Sequence, residues 1–192
     1  RLIYSAFRVR PDGRESTQIV EVFGLLPESA FIRPQLIEGR WLRPDDADAV
    51  VINLDLLNIE PDIRVGDMLT LKIQGEESQW QVVGIVTSQV VGGTDPLMSA
   101  IAYVNYPQFA RVMGQPGQVN RVLIGTAQHS TSSRRQVLRE LEVTLSERGI
   151  FTVSALQEED LRAALGDAFA ILVNLLQLSS SVFGIVGGLG LM

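Results

Sequence analysis

No cysteine occurs in the 192 residues, and histidine occurs once, at His129. Without thiols there are no disulfides and no thiolate chemistry, an absence compatible with either side of a membrane. A metal site would have to be built from oxygen ligands. Basic residues are outnumbered 16 to 22, for a formal charge of −6 and a pI near 4.8. They are also scattered, and the one doublet, Arg134-Arg135, falls at a predicted helix start. That balance argues against a nucleic-acid surface. No repeat and no low-complexity linker is present. No signal peptide opens the chain, which starts RLIYSAFRVR, so the targeting signal is expected upstream.

What is present is globular in composition: 46% apolar, 20% charged, 17 Gly and 8 Pro. That suffices for one ordinary domain or two small ones. The tail from Ala168 to Met192 holds no charged side chain. Crossing a hydrocarbon core about 30 Å thick takes roughly 20 apolar helical residues, so this tail is expected to begin a membrane span. Its glycines, Gly184, Gly187, Gly188 and Gly190, lack the Gly-Lys-Ser/Thr ending of a phosphate-binding loop. Each would weaken a soluble helix by roughly 1 kcal/mol relative to alanine. Gly184-x-x-x-Gly188 instead fits close helix packing in a bilayer.

The first two thirds read as short strands. Leu2 to Val9 and Gln18 to Leu25 flank the turn signal Pro11-Asp12-Gly13 and predict an antiparallel hairpin. Pro34 to Leu42 reads as a short helical or irregular stretch, Ala49 to Ile52 as a buried strand, and Asn53 to Ile59 as a small helix or turn. Met68 to Ile73 alternates with period two and pairs with Trp80 to Thr87 through Gly75-Glu76-Glu77. A loop over Val90 to Met98, a strand over Ala100 to Asn105 and a helical turn over Tyr106 to Met113 follow. The texture then becomes β-α-β-α. Asn120 to Thr126 is a predicted strand. Ser133-x-x-Gln136 reads as a capping box for a helix with the stripe Val137, Leu138, Leu141 and Leu145, closed by Gly149. Ile150 to Val153 is the next strand. Ser154-x-x-Gln157 is a second capping box, with Glu158, Glu159 and Asp160 where carboxylates favour the helix dipole. The chain from Ser154 to Met192 holds no proline, which allows one helix of about 55 Å.

No catalytic constellation emerges. His129 lies in Gln128-His129-Ser130-Thr131-Ser132-Ser133, and a Ser/His pair needs a positioned third group and an oxyanion site. A solvated loop leading to a helix cap accounts for it. Asp45, Asp46 and Asp48 lack the glycine and distal glutamate of a calcium loop and read as an exposed acidic turn. Glu158 to Asp160 are explained by their helix-start position. No catalytic, cofactor-binding or metal-binding residue is assigned, and the chain is not expected to be an enzyme. A coupling or binding module is.

Three stretches together carry a family resemblance. Glu38-Gly39-Arg40-Trp41-Leu42, with Pro44-Asp45-Asp46 and Ala49-Val50-Val51-Ile52, is the first. Val65-Gly66-Asp67-Met68-Leu69-Thr70-Leu71, then Trp80-Gln81-Val82-Val83-Gly84-Ile85-Val86, is the second. Phe183 to Met192 (FGIVGGLGLM) is the third. In this order and spacing they resemble the MacB-like periplasmic core domain of FtsX-like ABC transporter permeases, over most of residues 25 to 192. The family's first transmembrane helix and opening β-α part have no counterpart, so the chain is expected to begin inside the extracytoplasmic domain.

The resemblance implies an α+β, two-lobed extracytoplasmic domain: a β-α-β lobe with an inserted, mostly-β lobe, followed by a long C-terminal helix entering a transmembrane span. Residues 1–24 would be truncated N-terminal strands of the β-α-β lobe, 25–105 the inserted lobe, 106–153 the rest of the first lobe, and 154–192 the stalk helix and start of the span. It also implies location at the cell membrane on the extracytoplasmic side. Expected partners are a cytoplasmic ABC ATPase subunit or domain, a second permease copy in a dimer, and an extracytoplasmic adaptor or hydrolase, with no cofactor and no nucleic acid. The implied function is coupling of cytoplasmic ATP hydrolysis to export of a lipophilic or peptide-like substrate or a lipoprotein. The alternative is an FtsX-type regulatory permease domain that binds and activates a cell-wall hydrolase.

Overall fold

The computed structural model describes residues 1–88, 100–125 and 130–150, together with Val173, Asn174 and Gln177. It falls into two compact units, Arg1–Gly125 and Thr126–Met192. The fold is mixed α+β, rich in strands.

The first unit holds β1 (Leu2–Val9), β2 (Glu15–Leu25), β3 (Leu36–Gly39), β4 (Ala49–Asn53), α1 (Leu54–Ile59), β5 (Met68–Ile73), β6 (Glu76–Val86), β7 (Ile101–Asn105) and α2 (Tyr106–Val112). The strands run in the order β3-β6-β4-β7-β2-β1-β5, and β5 pairs again with β6. That last pairing closes six strands into a barrel and leaves β3 outside the ring. Closure removes free edges, which is the usual answer to exposed backbone donors and acceptors. β2 pairs parallel with β7 and β4 parallel with β6, while the other ladders are antiparallel.

Turn chemistry sets the registers. The β1–β2 connection tightens at Gly13, with φ +81°, whose N–H donates to the Arg10 carbonyl at 2.8 Å. Ile73 pairs with Glu76 across a two-residue loop, and Gln74 and Gly75 both take positive φ, 52° and 93°. That is the turn whose twist matches an antiparallel hairpin. β6 is long enough to serve two neighbours: Glu76 to Gln81 pairs with β5, and Gly84 to Val86 pairs with β3. A register shift against β4 falls at Val83, which bends the strand between its two partners.

Period-two alternation divides the apolar residues into two cores. Val20, Val22, Val50, Ile52, Leu71, Trp80, Ala102 and Val104 point into the barrel, where Leu56 of α1 and Phe109 of α2 join them. Phe23, Leu25, Val51, Val86, Ile101 and Tyr103 form a second core outside it, covered by Ile32 and Leu42. β4 and β7 are buried on both faces, which explains their unbroken apolar runs.

Several expectations change here. Residues within Pro34 to Leu42 form strand β3 because backbone pairing with β6 outweighs the weak local pattern. Arg121 to Gly125 are not a strand. Asn120 and Arg121 sit beside the start of β1, which β5 does not reach, since β5 pairs only from Ala6 to Val9. There the Asn120 side chain supplies the missing partners: its Oδ1 accepts from the Ile3 N–H at 2.9 Å and its Nδ2 donates to the Ile3 carbonyl at 2.7 Å. β1 and β2 lie in the same closed sheet as β4 to β7, because barrel closure needs the β1–β5 and β2–β7 ladders.

The second unit contains α3 (Thr131–Glu147) among its described residues. Its N-cap is Ser130, three residues before the expected Ser133, and the Ser130 Oγ accepts from the Ser133 N–H at 3.2 Å. The Gln136 side chain accordingly turns to Glu140, at 2.9 Å, instead of closing a capping box. The other end is as expected: Gly149 has φ +73°, and the Gly149 and Ile150 N–H groups donate back to the Ser146 and Leu145 carbonyls, both at 2.9 Å. This is a Schellman closure. Phe151 to Val153, the second capping box, Glu158 to Asp160 and the uncharged tail lie outside the described residues, apart from Val173, Asn174 and Gln177, which are helical. No helix among the described residues is long and apolar enough to cross a membrane.

Candidate functional site

The parallel β2–β7 pair ends with Leu25 beside Asn105, so the chain leaves both strands at the same edge of the barrel. Diverging there, the two exits leave a groove of about 610 Å³ in the first unit. One wall is the turn from Leu26 to Ile32. A second is the segment holding Val119, Val122 and Leu123. Asn105, Tyr106 and Pro107, together with Pro44, line it where β7 meets α2. The lining is chiefly apolar, and the side chains of Phe31 and Val122 stand 60% and 66% exposed. Arg1 and Glu28 are its charged members.

Each wall is pinned. The Trp41 Nε1 donates to the Pro27 carbonyl at 3.1 Å, holding the first turn against the outer core. The Tyr106 hydroxyl donates to the Gln118 carbonyl at 2.9 Å, and the Asn120 grip on Ile3 holds the second wall. Asn105 is only 3% exposed. Its Nδ2 donates to the carbonyls of Pro44, Asp46 and Arg43 at 2.9, 3.2 and 3.3 Å. Its Oδ1 is buried with no hydrogen-bond partner among the described residues.

Beneath the groove Tyr103 is fully buried between Phe23 and Trp41, with ring centroids 5.8 and 5.5 Å away. Burial pushes its hydroxyl up to about 12, so it stays a neutral phenol. The Arg1 guanidinium lies 5.3 Å from the Phe23 ring centroid. Burial, with help from Arg121, lowers it to about 10, which still leaves a cation at neutral pH.

Asp45, Asp46 and Asp48 are not among the residues that line this groove. His129 and Glu158 to Asp160 lie outside the described residues. Ser130 is a helix cap. Asp46 is engaged by the Arg40 guanidinium at 2.7 and 2.8 Å and accepts from the Arg43 N–H at 2.8 Å. Those bonds hold its carboxyl below the usual range. It is a structural anchor for the acidic turn, and no group of metal-ligating side chains forms among the described residues. The groove residues themselves were missed. Leu26 and Phe31 carry no pattern of their own, and nothing in the spacing joins them to Val122, far along the chain.

No protein-family model and no curated protein sequence matches the chain. Among solved structures, the periplasmic region of MacB from Actinobacillus actinomycetemcomitans superposes over 86% of this chain and 73% of its own, with TM-score 0.53 and 15% identity. This chain has a MacB-like periplasmic fold. The extracellular domain of the noncanonic ABC-type transporter YknZ from Gram-positive bacteria aligns over 76% of each chain, with TM-score 0.44 and 11% identity.

The barrel brings two of the MacB-like sequence stretches together. Gly39 pairs with Gly84, and the Arg40 N–H donates to the Val83 carbonyl at 2.9 Å. A Cβ on Gly84 would strike the Arg40 carbonyl oxygen, and one on Gly39 would strike that of Val83. Gly39 also holds φ +74°, a conformation open chiefly to glycine. Along the same edge of β6 the Gly66 N–H donates to the Val82 carbonyl at 2.7 Å, and the Val82 N–H donates to the Asp67 carbonyl at 2.9 Å. The EGR, VGD and VVGI stretches thus meet on one segment of β6. They are fold determinants.

Proposed function

We propose that the chain is the extracytoplasmic domain of an ABC transporter permease, coupling ATP hydrolysis by a cytoplasmic ABC ATPase subunit or domain to export of a lipophilic or peptide-like substrate or a lipoprotein. The observation that carries this reading is the MacB-like fold over 86% of the chain. The uncharged tail from Ala168 to Met192 supports it, as the place where a stalk helix would enter the bilayer. On this reading residues 154–192 form the stalk and first turns of the span, the permease acts as a dimer, and the domain faces outward at the cell membrane.

The test uses the full-length gene product in its native membrane. Purification should bring down an ABC ATPase, and ATPase activity in proteoliposomes should change when this domain is locked by a cross-link between β3 and β6. Recovery of the protein in the soluble fraction without an ATPase would overturn the proposal. An ATPase that co-purifies with a cell-wall hydrolase and moves no substrate would transfer it to the regulatory alternative.

A further inference from the structure

We propose that the groove beside the barrel is a slot for one β-strand, and that its occupant is the stretch of backbone directly preceding Arg1 in the full-length gene product, which carries β1 onward. The hydrogen bonds around Arg1 point to it. The Arg1 nitrogen donates to the Arg121 carbonyl at 3.0 Å, and the Arg121 N–H donates to the Arg1 carbonyl at 3.2 Å. Two residues that exchange both bonds form one rung of an antiparallel ladder. Toward Ile3 that ladder ends at once, because the Asn120 side chain takes both backbone groups of Ile3. In the other direction the next rungs fall on Val122, Leu123 and Ile124. Their backbone groups make no hydrogen bond among the described residues, although the sequence there predicts a strand.

The other side of the slot is set by β2. Leu2 stands opposite Gly24 in the β1–β2 ladder, so the residue before Arg1 falls beside Leu26, just past the end of β2. Arg1, Leu25, Leu26, Val122 and Leu123 all line the groove. The cavity therefore lies where a continued β1 would run. Its wall already alternates as a strand does: Leu123 packs on the outer core, while Val122 and Ile124 stand 66% and 53% exposed. Phe31 marks the far end, since a Cβ on Gly125 would stand 3.2 Å from its ring. A strand in the slot brings an N–H and a carbonyl to Leu123, which belongs to the next doubly bonded rung. Such pairing is what an open strand edge lacks. The residue joined to Arg1 is put in register by the peptide bond itself, whereas a strand from another molecule would run end-on into the Arg1 nitrogen. The slot is a matter of backbone geometry in the first unit and does not rest on the transport reading.

The test uses the full-length gene product in its native membrane. Val122→Cys is combined with a cysteine at the position directly before Arg1. Facing residues of a rung without hydrogen bonds have Cα atoms about 4.5 Å apart, within disulfide range. Ile124→Cys with the same upstream cysteine is the control, because two residues along the strand put it beyond the roughly 7 Å that a disulfide bridges. The 192 residues hold no cysteine to compete. Mass spectrometry of a protease digest should show the Val122→Cys pair joining within one chain at least about tenfold faster than the control. In the unaltered protein the Leu123 amide should exchange at least about tenfold more slowly than that of Val122, which a continued ladder leaves unpaired. This second measurement decides even where a cysteine variant fails to fold. Equal oxidation rates, disulfides formed only between chains, a Leu123 amide as fast as that of Val122, or a mature protein that begins at Arg1 would each overturn the proposal. Failure of these with a co-purifying ATPase would leave the transport reading standing, and the expected register in a protein without an ATPase would leave the slot standing.

Discussion

Replacing Glu60 by glutamine should be among the most damaging near-isosteric changes in the barrel unit. Glu60 follows α1, is only 2% exposed, and accepts three charge-assisted hydrogen bonds. They come from Arg8 Nη1 at 2.6 Å and from Arg10 Nε and Nη2 at 3.0 and 2.7 Å. Arg8, 6% exposed, also grips Asp62 at 2.7 and 2.5 Å. The cluster therefore fastens the end of α1 to the C-terminal end of β1. Removing one member of a buried ion pair costs about 3–5 kcal/mol because the other charge is stranded. Here Arg8 keeps Asp62, and glutamine keeps one acceptor oxygen and the volume, so the loss should be about 2–3 kcal/mol. Urea unfolding followed by tryptophan fluorescence reads this unit directly, since Trp41 and Trp80 both belong to it. With a slope of about 2 kcal/mol per molar, the midpoint should fall by roughly 1 M. Arg14→Ala, which breaks the exposed Arg14–Asp12 pair, is the control and should leave the midpoint in place. A Glu60→Gln midpoint indistinguishable from that control would refute the claim that burial makes this cluster matter.

Three further perturbations probe the scaffold. Gly84→Ala should destabilise by about 1–3 kcal/mol and raise amide exchange across β3, since the new Cβ meets the Arg40 backbone; an unchanged Tm would contradict the crossing described above. Asn120→Ala should cost about 1 kcal/mol and speed exchange of the Ile3 amide, with protected exchange counting against the strand-mimic role. Asp46 and Asp62 are held below their ordinary 3.8 by the hydrogen bonds from Arg40 and Arg8 respectively. Such groups stabilise the fold above the unfolded value, and that contribution fades as pH falls through the folded one. Stability should therefore drop between about pH 5 and pH 2, with a shallower fall in Asp46→Asn; identical slopes would reject the assignment.

The strands with strong local signals were legible from sequence. β5 shows clean alternation, β4 and β7 show short buried runs, and the hairpin turn at Gly13 announces itself. What stayed hidden depends on partners distant in the chain. β3 becomes a strand because β6 offers it a free ladder, and its own four residues are all exposed. The closure of β1 on β5 has no local signature. Ser133 seemed the better cap because its capping-box partner fell in place, yet Ser130 opens the helix a turn earlier with the same chemistry.

The groove was illegible for a different reason, and that reason bears on how the fold can be used. The first two family-like stretches meet on β6, where backbones touch and only glycine or a fixed turn fits. Leu26, Phe31, Asn105 and Val122, which line the groove, fall outside them. Residues that close the barrel are thus separate from residues that shape the cavity at its edge. Loops placed on a rigid scaffold can change at little cost to the fold. A relative could therefore keep the Gly39–Gly84 crossing and the Arg40–Asp46 clamp while exchanging Phe31, Val122 or Asn105. On this argument the fold-defining stretches carry architecture, and differences in what the groove receives should be sought in the two turns that leave β2 and β7.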